Sequence, residues 1–218
     1  HRAKREAGFG GIAVLPVSGT RPEYRTDAYF ERYDDMIETM HRNGMELIIY
    51  DDIDFPSGTA GGRLQAQYPH DTRKLLEKDE YVITGPATFT QILPDSTEKL
   101  LMATTAMNIN TYEMIDLRDH IRDGKVTWEV PPGAWRVMFF CCRYNVRPQV
   151  DYMDTSAVRK FIRMNYDAYG KRYGKYMGNT VKRVFYDDIG FNGMEKTWTP
   201  AITEIFEKSY GKNAALYY

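Results

Sequence analysis

The sequence predicts an α/β chain, part of a (β/α)8 TIM barrel interrupted by an antiparallel β-sandwich-like insertion. Three observations carry this. Twice an apolar run turns acidic at its last residues, at Met45-Glu46-Leu47-Ile48-Ile49-Tyr50-Asp51-Asp52 and at Val181-Lys182-Arg183-Val184-Phe185-Tyr186-Asp187-Asp188. Helical spacing of apolar residues accompanies those runs. Between them, residues 81–143 lose the helical period and show short alternating runs divided by Gly85-Pro86, Asp123-Gly124 and Pro131-Pro132-Gly133. The expected division is therefore 1–78 for the first part of the barrel, 79–147 for the β-rich module and 148–218 for the continuation.

Residues 10–17 read as a short buried strand that Pro16, Gly19 and Pro22 break into a loop. From Asp27, Phe30, Tyr33, Ile37 and Met40 recur at helical spacing, and Asn43-Gly44 ends the pattern with a residue able to take positive φ. Residues 46–50 are the next strand, so the order β-α-β favours parallel strands and a right-handed crossover. A loop dense in acids and glycines follows over 51–62, then a helical or irregular segment over 63–78 interrupted at Pro69. The inserted module has room for about six short strands. The α/β pattern resumes at Val150-Asp151-Tyr152-Met153-Asp154 and one long helix, with the stripe Val158, Phe161, Ile162, Tyr166, Tyr169, Tyr173 and Tyr176. The helix is expected to pack on the outside of the barrel with its tyrosine hydroxyls near water. A strand over 180–186 and a helix over 199–210, starting at Pro200, complete the pattern. Three or four barrel strands are found where closure needs eight, and the opening residues read as the last turn of a helix closed by Gly8. The remaining part of a longer polypeptide is thus an expected partner.

Composition narrows the function. The 218 residues are 43% hydrophobic and 14% aromatic, enough for one large or two small domains. The 29 Lys and Arg nearly balance the 30 Asp and Glu and are spread along the chain, which argues against nucleic acid as a partner and for a neutral substrate. No stretch reaches the roughly 20 apolar residues of a membrane span. Cys141 and Cys142 are neighbours on an expected strand, poorly placed to bond each other, and read as small buried hydrophobes. His1, His41, His70 and His120 lack zinc spacing, and neither Ser18 nor Ser57 sits in a Gly-x-Ser-x-Gly elbow. The glycines of 58–62 lack the Lys-Ser/Thr ending of a phosphate loop.

The run Tyr50-Asp51-Asp52-Ile53-Asp54-Phe55-Pro56-Ser57-Gly58-Thr59-Ala60-Gly61-Gly62 resembles a segment of the α-L-rhamnosidase-type glycoside hydrolases, family 106, in which Tyr-Asp-Glu leads into aromatic-Pro-Ser-Gly. Gly8-Phe9-Gly10-Gly11, Pro132-Gly133-Ala134-Trp135-Arg136-Val137, Val150-Asp151-Tyr152-Met153-Asp154, Val184-Phe185-Tyr186-Asp187-Asp188 and Trp198-Thr199-Pro200 are similar to that family's landmarks in the same order. The resemblance implies a (β/α)8 catalytic domain interrupted by a β-module, inverting hydrolysis of terminal sugars, and often a calcium ion near the sugar. By analogy it implies a periplasmic or extracellular protein. This chain departs from the family in carrying Asp52 and Asp188 where catalytic glutamates are presented. The loss of one methylene draws each carboxylate back by roughly 1.5 Å.

Two carboxylates divide the chemistry of glycoside hydrolysis, one protonated at the leaving oxygen and one ionised at the far face of the sugar. An unpaired charge is costly to bury, so the doublets are expected at an opening, the carboxyl ends of barrel strands. Asp52 is assigned as general acid and Asp188 as general base; a gap of about 6.5–9.5 Å between them gives inversion and about 5–5.5 Å retention. Asp51 and Asp187 stand open between substrate contact and capping of backbone N–H groups. Asp54, Asp151 and Asp154 are candidates for a sugar hydroxyl or calcium, with Asp154 also placed as a helix N-cap. Tyr50, Phe55, Tyr186 and Phe191 can stack on a sugar or fill the core. The expectation is a glycoside hydrolase fragment cleaving an α-L-rhamnoside-like terminal sugar. The alternatives are a non-catalytic glycan-binding protein on the same scaffold and a protein-interaction module.

Overall fold

The computed structural model describes residues 2–188 and 196–218. In chain order it contains helix α1 (Arg2–Ala7), strand β1 (Gly11–Val14), helix α2 (Asp27–Arg42), strand β2 (Glu46–Tyr50), helix α3 (Arg63–Gln67) and strands β3 (Thr72–Ile92), β4 (Lys99–Asn108), β5 (Met114–Asp116), β6 (Ile121–Arg122) and β7 (Lys125–Val150). Helices α4 (Thr155–Met164) and α5 (Tyr166–Tyr173), strands β8 (Val184–Phe185) and β9 (Thr197–Trp198), and helix α6 (Ala201–Tyr210) follow. The described residues divide into one unit of 2–72 and 147–188 and another of 73–146 and 196–218.

In the first unit, Thr26 caps α2 by accepting the Tyr29 N–H at 3.3 Å, and the helix stops at Gly44, whose φ of 59° lets its N–H return to the His41 carbonyl at 3.1 Å. The chain then turns into β2. Strands β1, β2 and β8 form a parallel sheet in that order, with Gly11 opposite Glu46, Ile49 opposite Val184 and Tyr50 opposite Phe185. A Cβ at Gly11 would stand 2.5 Å from the Glu46 carbonyl oxygen, so the close approach of β1 to β2 requires glycine there. Tyr29, Tyr33, Ile37 and Met40 of α2 pack on Leu47 and Ile49 of β2 and on Tyr169 and Tyr173 of α5.

Several expectations are corrected here. The partial (β/α)8 TIM barrel does not form: among the described residues only three strands run parallel, they do not close, and antiparallel strands predominate. Helical spacing and acidic strand ends report a local β-α-β unit, whereas closure depends on distant pairings. Residues leading to Val150, which had suggested a fresh barrel strand, are the tail of the long β7. The tyrosine-rich helix is two helices meeting at buried Asn165, whose Oδ1 accepts an Arg25 N–H at 3.2 Å. The hydroxyls of its Tyr169 and Tyr173 meet protein rather than water: the Tyr29 and Tyr169 hydroxyls lie 3.2 Å apart, and Tyr173 donates to the Phe30 carbonyl at 3.2 Å. Pairing of hydroxyls with one another and with main chain removes the need for water. In the segment 63–78, α3 ends before Pro69 and β3 begins at Thr72.

The second unit holds one six-stranded sheet, with path β5-β4-β7-β3-β9 and β6 paired to β7, rather than a sandwich. Alternate residues Val126, Trp128 and Val130, then Trp135, Val137 and Phe139, share a core with Phe89 and Ala106. Asp123 and Gly124, both at positive φ, turn β6 into β7 so that Ile121 faces Val126. Cys141 and Cys142 are buried free thiols. None of the described helices is long and apolar enough to cross a membrane.

Candidate functional site

Parallel pairing of β2 with β8 brings both acidic doublets to one end of the sheet, but out of step. Since Tyr50 is level with Phe185, and the Asp51 N–H donates to the Phe185 carbonyl at 3.2 Å, Asp51 follows level with Tyr186 and Asp52 with Asp187. Side chains alternate along strands, so neighbours in each doublet leave on opposite sides. The two aspartates of the first doublet have different surroundings.

Asp52 is fully buried and spends its carboxylate on the loop that follows. Its oxygens accept N–H bonds from Ile53, Gly58, Thr59, Ala60 and Gly61 at 2.5–3.0 Å, and the Thr59 hydroxyl at 2.9 and 3.0 Å. Successive small residues turning their N–H groups inward make an anion-binding nest. Gly58 is obligatory: its φ is 110°, and a Cβ there would lie 2.7 Å from the Tyr152 hydroxyl. Asp52 thus organises residues 58–62 and has little capacity left for a ligand.

Asp51, 3% exposed, lies at the floor of an open cavity of about 480 Å³. Tyr152, Val158, Phe161, Ile162, Tyr166 and Tyr186 form the rest of it. The Tyr166 hydroxyl donates to one carboxyl oxygen at 2.8 Å, while the other, Oδ1, has no partner among the described residues. Burial pushes the Asp51 carboxyl above the usual carboxylate range; the hydroxyls of Ser57 and Tyr166 oppose that, and the charge of Asp52 adds to it. Burial likewise pushes the Tyr166 phenol well up, with the Asp51 charge reinforcing it. The result is a carboxyl inclined to hold its proton in an aromatic and aliphatic hollow.

The other residues singled out from the sequence separate. Tyr186 joins Asp51 at the cavity, 58% exposed, whereas Tyr50 is core, its hydroxyl donating to the Asp54 carbonyl at 2.7 Å. The Asp54 carboxylate accepts the Ser18 N–H at 2.7 Å and the Ser18 hydroxyl, bonds that hold its pKa below the ordinary value. Phe55 is 64% exposed and stands with Asp54 at a different cavity. Asp151 is buried and accepts the Met153 N–H at 3.1 Å; Asp154 caps α4 through Ser156 and Ala157. Asp187 is tied at its main chain to Ser57, N–H to hydroxyl and carbonyl to N–H, both at 2.9 Å. Asp188 is half-buried with φ 37°. Phe191 lies outside the described residues.

Among the described residues no three His, Cys, Asp or Glu side chains gather where a metal ion could sit. Main-chain N–H donors crowd the carboxylate of Asp52, and Ser18 engages that of Asp54 through its N–H and its hydroxyl.

Tyr166 is the site residue that sequence reasoning left on the helix stripe. Only the break at Asn165 turns its hydroxyl to Asp51, and polar Asn165 inside that stripe was the available signal.

The sequence profile of glycoside hydrolase family 106, described as alpha-L-rhamnosidase, matches residues 72–218, about two thirds of the chain. No curated protein sequence matches. Among solved structures, a rhamnosidase from Novosphingobium sp. PP1Y is similar over 98% of this chain with a TM-score of 0.62 and 13% sequence identity. This likeness is one of fold, and the present chain spans 38% of that one.

Proposed function

The chain belongs to the alpha-L-rhamnosidase family of glycoside hydrolases, and from that premise we propose that it acts in hydrolysis of a terminal α-L-rhamnoside on a glycan, with Asp51 as the general acid. One observation carries the assignment: of the two aspartates ending β2, only Asp51 keeps a carboxyl oxygen without a partner among the described residues and borders a cavity. Rhamnose is a 6-deoxy sugar with an apolar methyl and an apolar C–H face. Val158 and Ile162 suit the methyl, and the rings of Tyr166 and Tyr186 suit the C–H face. The raised pKa supports a protonated Asp51 that donates to the leaving oxygen, while Tyr166 holds the second carboxyl oxygen. Asp188, from the neighbouring strand end, is the proposed base that activates water, and a carboxyl separation of about 6.5–9.5 Å would make the reaction inverting.

The test uses p-nitrophenyl α-L-rhamnopyranoside with the wild-type protein and Asp51→Asn. Turnover should fall by about 10²–10⁴ in the variant, with the fold intact by circular dichroism. An undiminished rate would remove Asp51 from the chemistry. Saturable rhamnoside binding by the wild type without release of nitrophenol would favour the glycan-binding alternative.

A further inference from the structure

A second cavity, of about 560 Å³, is bordered by residues of the Asp52 loop, and its lining differs from that of the Asp51 cavity. Carboxylates of Asp54 and Glu23, the guanidinium of Arg63 and the exposed ring of Phe55 stand around it, with Gln149. Gln149 is 5% exposed, and its Oε1 has no hydrogen-bond partner among the described residues. A buried amide oxygen left without a donor is unfavourable, so a ligand that supplies one is favoured there.

Charge decides the class of ligand. The two carboxylates repel an anion, and Arg63 repels a cation. A neutral molecule whose hydroxyls both donate and accept satisfies all three groups and the Gln149 oxygen. An apolar C–H face would cover Phe55, which otherwise exposes 64% of its surface. We propose that this cavity is a second glycan site, taking a neutral pyranose distinct from the sugar held over Asp51. The proposal rests on the reading of the chain as glycan-active, but not on Asp51 being the acid. The site's position follows from the nest already described. Asp52 fixes Thr59 and Gly61, both at this cavity, and a Cβ at Gly61 would press within 2.8 Å of the Arg63 guanidinium.

The experiment titrates the protein with methyl β-D-glucopyranoside and, separately, with L-rhamnose, following saturation-transfer NMR. The variants are Phe55→Ala, Gln149→Leu and Asp51→Asn. Phe55→Ala removes an exposed ring and should leave the melting temperature unchanged, so it reports binding even if Gln149→Leu folds poorly. The expected result is saturable glucoside binding that weakens at least tenfold in Phe55→Ala and persists in Asp51→Asn. Absence of saturable glucoside binding, or binding indifferent to Phe55→Ala, overturns the second site. Rhamnose binding lost only in Asp51→Asn would leave the Asp51 cavity standing whichever way the glucoside result falls. Rhamnose binding unaffected by Asp51→Asn would undermine that cavity without touching this one.

Discussion

Asp51 and Asp52 are adjacent, equally buried and identical in chemistry, yet one closes a loop and the other faces a cavity. The difference lies in the supply of donors. Asp52 meets five main-chain N–H groups and a hydroxyl, whereas Asp51 has chiefly the hydroxyls of Tyr166 and Ser57 to offset its burial, and Oδ1 lies outside hydrogen-bond distance of any donor among the described residues. A saturated carboxylate stabilises structure. An unsaturated one costs stability and retains chemistry.

The sharpest way to break this comparison is to remove the saturated member. Asp52→Leu leaves several N–H groups buried without acceptors, at about 1–3 kcal/mol each, so urea unfolding should show a loss of roughly 4 kcal/mol or more or no folded protein at all. A mild loss would mean that the loop finds other acceptors.

Asp51→Asn should act in the opposite sense on stability. The folded-state pKa of Asp51 lies above its unfolded value of about 3.9. The folded state therefore binds the proton more tightly, and the stability contributed is present below the unfolded pKa and lost as pH rises through the folded one. At pH 7–8 the variant should melt above the wild type, and the advantage should fade as pH drops below about 4. Equal melting temperatures across that range would contradict a strained carboxyl.

A smaller effect is expected of Tyr166→Phe. It removes one hydrogen bond to the carboxylate, worth about 1.5–3 kcal/mol for a charged partner, and a support that holds the Asp51 pKa down. The alkaline limb of the rhamnosidase pH profile should move upward while kcat falls, by about tenfold; a changed rate with an unmoved limb would separate Tyr166 from Asp51. The smallest effect belongs to Thr59→Val, which removes the hydroxyl from the Asp52 nest and leaves its N–H bonds, at about 1 kcal/mol in the same unfolding measurement.

The β-α-β start was legible because its signals are local: a Thr cap, a helical stripe and Asn43-Gly44. Both doublets could likewise be placed at strand ends. Which aspartate would face a cavity was not legible, because the repeated motif suggested that equivalent positions face one another. The sheet sets them one residue apart, with Asp51 level with Tyr186. The capping role considered for Asp51 belongs to Asp52, and the small residues at 58–61, six to nine positions beyond it, were the clue. Barrel closure and the break at Asn165 depend on contacts between segments far apart in sequence, to which a pattern of apolar spacing is blind.

That one-residue stagger offers a lever for redesign. Deleting Tyr186 would advance the second doublet by a place and set Asp187 beside Asp51, exchanging a phenol for a second acid. Two carboxyls at such range share one proton and titrate as a pair. The Asp51 carbonyl of the shortened protein should then titrate in two steps by NMR where that of the parent titrates in one, turning a spacing in the sheet into a coupling of protons.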